Sequence, residues 1–72
     1  MSNTLIISRA MRRLQAETDV KDIDIAHRVG VTARSVKGWR RGIYKPSEST
    51  LKEVCELFGC SLDDFYAAGR YK

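Results

Sequence analysis

Between positions 34 and 45 the chain carries five basic side chains, Arg34, Lys37, Arg40, Arg41 and Lys45, and no acidic one. Guanidinium and ammonium groups gathered without counter-charges do one kind of chemistry well: they bind anions, and a row of them binds a polyanion. Covalent chemistry finds far less to work with. There is one histidine, His27, and there are two cysteines, Cys55 and Cys60, five positions apart and outside any C-x-x-C pair. No Ser/His/Asp or Cys/His constellation, plausible carboxylate pair or metal-ligand set can be assembled. An enzyme, a metal site and a cofactor are therefore not expected. Both cysteines fall where a helical pattern asks for an apolar residue, and they read as reduced core thiols.

The charge is unevenly spread. The 72 residues have a formal net charge of +4 and a pI near 9.4. Residues 1–46 hold ten Lys/Arg against four Asp/Glu, whereas residues 47–72 hold three against five. The basic part suits nucleic acid or an anionic surface, although charge alone fits a merely solvated face equally well. Leu5-Ile6-Ile7 is too short for the core of a signal peptide, and no apolar run is long enough to span a membrane. A soluble, intracellular, cytoplasmic protein is expected. The length predicts one domain, 1–72. Domains this small bury only about 60% of their unfolded surface, so short helices with local contacts suit the chain and dimerisation would help it.

The elements that must position the basic run follow a 3.6-residue apolar period, with no repeats and little strand signal. A first helix is predicted from about Thr4 to Glu17, capped by Asn3, with Ile7, Ala10, Met11 and Leu14 inward; Thr18-Asp19 ends it. A second runs from Lys21 or Asp22 to Val29, burying Ile25, Ala26 and Val29, with Asp22 and Asp24 at its positive end. Gly30 closes it in a left-handed conformation. Thr32 caps a third helix to Arg41, stopped by Gly42, with Val36 and Trp39 inward and Arg34, Lys37 and Arg41 on the opposite face at i, i+3 and i+7. After the loop Ile43-Tyr44-Lys45-Pro46, Ser47 caps a fourth helix with a core stripe of Leu51, Val54, Cys55 and Phe58, ended by Gly59. Ser61 and Asp64 have the spacing of a capping box for a fifth, Leu62 to Ala68, burying Leu62 and Phe65 and terminated by Gly69. The expected fold class is all-α, a compact five-helix domain.

Residues 22–41 form its centre. Only Gly30-Val31-Thr32 separates the second and third helices, too short a turn for antiparallel packing, so the two must cross steeply. Ala26 permits the close crossing, and Gly30 supplies the positive φ that the turn needs. The spacing Ala26, Gly30, Val31, Val36, Trp39 resembles the helix-turn-helix of the phage repressor/Cro (XRE-type) family, whose domain is of the lambda-repressor-like type. Trp39-Arg40-Arg41-Gly42 with Lys45-Pro46-Ser47 is similar to the family's stretch after its recognition helix. Leu57 to Phe65, reading LFGCSLDDF, is similar to its fourth-to-fifth helix connection. The resemblance covers roughly residues 5–66.

The resemblance implies sequence-specific binding of duplex DNA, usually as a homodimer, to regulate transcription, with the third helix in the major groove. Carried over, the base-reading positions are Thr32, Ala33, Arg34, Lys37 and Gly38. Arg34 leads, since a guanidinium can grip guanine bidentately. Ala33 suits a thymine methyl, and Lys37 suits a guanine or a phosphate. Arg40, Arg41, Tyr44 and Lys45 are assigned to phosphates. The expected regulator is a repressor on an operator; a phage-type switch protein and an antitoxin both fit. The alternative is a protein-interaction module on the same fold, an antirepressor or adaptor partnered with another protein such as a toxin.

Three departures from the family stand out. A Gln that contacts phosphate is often first in the second helix; here Asp22 is expected to repel it, and Asp19 and Asp24 add to that. Gly38 weakens the third helix by up to about 1 kcal/mol relative to Ala and leaves room for DNA or the second helix to approach. The family often pairs Arg late in the first helix with Glu after the inward residue of the third; here these are Gln15 and Arg40. Two outcomes fit: Gln15 accepts a hydrogen bond from Arg40, or Arg40 is released toward phosphate. Trp39 reads as core in preference to a base-stacking residue, and His27 as surface in preference to a phosphate contact. Leu57, Tyr66 and Tyr71 are either scattered surface residues or a dimer contact.

Overall fold

Left-handed residues at Asp19, Gly30, Gly42 and Gly59 close the first four of five helices. The computed structural model describes residues 3–70 and gives α1 (Asn3–Thr18), α2 (Asp22–Val29), α3 (Ala33–Arg41), α4 (Glu48–Phe58) and α5 (Leu62–Arg70), the predicted order. Asn3, expected as a cap, is itself helical. Asp19 ends α1 at φ 61, a conformation that Asp tolerates better than most residues, with its N–H on the Gln15 carbonyl at 2.9 Å. Lys21 precedes α2 without a side-chain acceptor, and the Asp24 carboxylate takes the Lys21 N–H at 3.0 Å instead. The Oγ of Ser47 and of Ser61 accept from the N–H groups of Thr50 at 3.3 Å and Asp64 at 3.1 Å, as helix caps do.

The core is one cluster drawn from every helix: Ile7, Ala10, Met11, Ile25, Ala26, Val36, Trp39, Leu51, Val54, Cys55, Phe58 and Phe65. The α4 stripe is buried as its spacing predicts. Four expected core residues, Leu14, Val29, Cys60 and Leu62, are only half-buried, whereas α1 also buries Ile6, Ser8 and Gln15. The inward face of α1 is wider than its apolar stripe because it packs against both α5 and α3. Leu57 and Tyr66 pack half-buried against the core; Tyr71 lies outside the described residues. Both cysteines are free thiols. Burial, with the neighbouring Cys60 adding to it, pushes the Cys55 thiol up to about 12. Burial also raises Cys60. Among the described residues no helix is long and apolar enough to cross a membrane.

One expected helix stop is corrected. Gly69 does not terminate α5, which stays helical through Arg70. It is buried because α1 passes directly over it: a Cβ there would stand 2.1 Å from the Ile6 carbonyl oxygen and 2.9 Å from the Ile6 carbonyl carbon. A backbone cannot yield as a flexible side chain can, so the glycine is there for close approach. Gly69→Ala is expected to destabilise the domain by about 1–3 kcal/mol, the usual cost of overpacking. Urea unfolding would show the shift in midpoint; an unchanged midpoint would mean that α1 and α5 separate freely.

Candidate nucleic-acid interface

The turn joining α2 to α3 begins at Gly30, with φ 73 and ψ 34. Its N–H and that of Val31 both reach the Ala26 carbonyl, at 2.9 and 3.1 Å. Ala26 is 2% exposed, consistent with a tight crossing. Thr32, expected to read bases, spends its hydroxyl oxygen on the α3 cap, accepting the Ser35 N–H at 3.2 Å, although the residue stays exposed.

A helix of nine residues does not persist alone in water, so α3 depends on what holds it. Behind it, Val36 and Trp39 are buried in the core, which places Trp39 there and not on a stacking surface. At its far end Gly42 turns left-handed and returns its N–H to the carbonyls of Gly38 and Trp39. The Arg40 carbonyl, exposed by the end of the helix, accepts from the Ser8 hydroxyl and from Arg12 Nε at 3.2 Å. Ser8 and Arg12 were not among the residues singled out from the sequence. The signal was present: Ser8, Arg12 and Gln15 stand at i, i+4 and i+7, a polar stripe beside the apolar face of α1.

The outward face of α3 carries Arg34, Lys37 and Arg41, all exposed, and no acidic residue. Together with Gly38, Ile43 and Tyr44 they line a groove. Ala33 is half-exposed at the start of the helix. Gly38 shares the charged face but is buried. The space left by its missing side chain is taken by the tip of Tyr44, not by α2. Ile43, Tyr44 and Lys45 are exposed on the loop that follows, as is His27 on α2.

The acid at the start of α2 is not left to face an anion alone. Arg40 Nη2 lies 3.1 Å from Asp22 Oδ2, and Gln15 Nε2 donates to Asp22 Oδ1 at 2.9 Å and to the Val20 carbonyl at 3.2 Å. Asp22 therefore bridges the two residues expected to meet directly. The first expected outcome does not describe the structure: Gln15 donates and does not accept, its Oε1 having no partner among the described residues, and Arg40 meets a carboxylate instead. Two departures from the family pattern, Asp22 and the Gln15/Arg40 exchange, are one network. The Asp22 side chain is 13% exposed and that of Arg40 36%, so the pair is only partly screened by water.

Two helices crossing over a short glycine turn, the second with an uncovered cationic face, define a helix-turn-helix module. The helix-turn-helix family matches residues 11–65, and the chain belongs to this XRE-type family of DNA-binding transcriptional regulators. Two crystal structures of the clp gene regulator ClgR from Corynebacterium glutamicum share the fold. One superposes with a TM-score of 0.83 at 23% identity, covering 92% of this chain and 85% of that one. The other gives 0.85 at 23% identity, covering 92% and 70%. No curated protein gives a significant sequence match.

Asp22→Asn should separate holding from binding. Losing the ion pair is expected to cost about 1 kcal/mol of stability, while removing an anion and freeing Arg40 should tighten DNA binding and steepen its log–log salt dependence by about one unit. Thermal unfolding and a duplex titration across a salt series measure the two effects; an unchanged salt slope would show that Arg40 faces no phosphate.

Proposed function

We propose that this protein is a sequence-specific transcriptional repressor that binds an operator in duplex DNA as a homodimer, with α3 (33–41) in the major groove. The observation that carries the reading is the exposed Arg34–Lys37–Arg41 face, free of acids, on a helix braced from behind by Val36 and Trp39. Arg34 is the leading base reader, from the groove-inserted start of the helix, with Thr32, Ala33 and Lys37 beside it. Arg41 and Lys45, exposed beyond that part, suit phosphates. Arg40 joins them when DNA competes with Asp22 for its guanidinium. Such a protein works in the cytoplasm, on the DNA of a prokaryote or of a phage-infected cell.

The alternative, a protein-interaction module of the antirepressor or antitoxin type, draws on Asp22 and Asp24 at the start of α2. The ion pair of Asp22 with Arg40 weakens it, because the most buried of those acids is already neutralised. Binding to duplex DNA that is weak and nearly independent of salt would favour the alternative; a slope reflecting several phosphate contacts would sink it.

On the repressor reading, Arg34→Ala should cost about 1–3 kcal/mol of binding and relax preference at one base pair, while Lys45→Ala weakens all sequences alike. Gel-shift titrations of matched and mismatched duplexes distinguish them, and unchanged operator binding by Arg34→Ala would refute the assignment. Selection from a random duplex library should return two inverted half-sites centred about 34 Å apart, or a multiple of one helical turn. A single unpaired half-site would argue against the dimer.

A further inference from the structure

We propose that Tyr44 reads a base pair, its phenol standing in for the side chain that Gly38 lacks; the inference rests on α3 entering the major groove. Gly38 lies on the same face of α3 as Arg34, Lys37 and Arg41, four residues from Arg34 and one from Lys37. A Cβ built on it would lie 2.4 Å from Tyr44 Cζ, 2.5 Å from Oη and 2.7 Å from Cε1. The tip of the ring therefore occupies the volume where residue 38 would begin its own side chain. The path back from the loop is fixed: Gly42 turns left-handed, and the Ile43 N–H returns to the Gly38 carbonyl at 3.0 Å.

The ring covers Gly38 without being buried in turn. Tyr44 remains 45% exposed, beside Ile43 at 63%, in the groove lined by Arg34, Lys37 and Arg41. A phosphate-contacting tyrosine has no reason to lie on the middle of the helix, because the phosphates flank the groove while that face points at its floor. A glycine inside an exposed helical face weakens the helix, and the ring gives it a use. The phenol brings what the cationic neighbours lack: a hydroxyl that both donates and accepts, and an apolar edge suited to a thymine methyl.

Two substitutions test this by site selection from a random duplex library, with folding checked by circular dichroism. Tyr44→Ala removes the ring. Gly38→Ala fills its seat with a Cβ and displaces the flexible tip while leaving every charge in place. Both are expected to lose roughly tenfold or more of discrimination at one and the same base pair, distinct from the pair affected by Arg34→Ala. A uniform loss of affinity in Tyr44→Ala, with the selected motif intact, would overturn the inference and make Tyr44 a backbone contact. A change of motif in Gly38→Ala alone would also overturn it, because the glycine itself would then be the reader. Failure of the unsubstituted protein to select any motif would instead overturn the underlying DNA reading, so the two failures are told apart.

Discussion

A helix that must leave one whole face uncovered has only its back and its two ends by which to be held. That constraint organises this domain. α3 is too short to be stable alone and presents its long cations to solvent, so its geometry is imposed from elsewhere. Val36 and Trp39 anchor the back, Thr32 closes the first turn, and Gly42 closes the last. The Arg40 carbonyl is then satisfied from α1 by Ser8 and Arg12. α1 is thus a brace as well as a core element, which explains why two of its buried positions are polar.

The same bracing decides the electrostatics of the surface. Anions beside a cationic face ordinarily offset its charge, and the start of α2 carries two within its first turn. One is turned into structure by Gln15 and Arg40; the other takes the Lys21 N–H. The acids are spent on organising α2 and on tying it to the helices on either side, while the uncompensated charge is concentrated on the outward side of α3. A charge inventory taken along the sequence cannot distinguish these uses, since it gives every carboxylate the same weight.

What the sequence discloses is what depends on local spacing. The apolar period located all five helices and the α4 stripe, and the caps at Thr32, Ser47 and Gly30 were readable because each acts within four residues of itself. The burial of Ala26 and Trp39 followed from the same spacing. What escaped depends on the crossing of distant elements. The bridge through Asp22 joins side chains on α1, α2 and α3, and no spacing within one helix discloses it. Gly69 was misread because one residue type serves two purposes: a glycine after an apolar run looks like a stop, and only the position of the Ile6 backbone shows that it is a contact. Gly38 was recognised as a gap, but what fills the gap depends on the path of the Ile43–Lys45 loop.

The contact between Ile6 and Gly69 also bears on how the domain assembles. It joins the beginning of the first helix to the end of the last, so nearly the entire chain lies in the loop that it closes. The α2–α3 turn and the left-handed Gly59 end of α4 can form from neighbouring residues at little loop-closure entropy. The α1–α5 seam requires the first and last of the described helices to meet, and contacts of such long sequence separation are what slow folding. α3 therefore takes part of its support from the least local contacts of the domain, because α1, which braces it, is itself packed on α5. Loosening the α1–α5 seam is therefore expected to reach α3 through the Ser8 and Arg12 contacts with the Arg40 carbonyl.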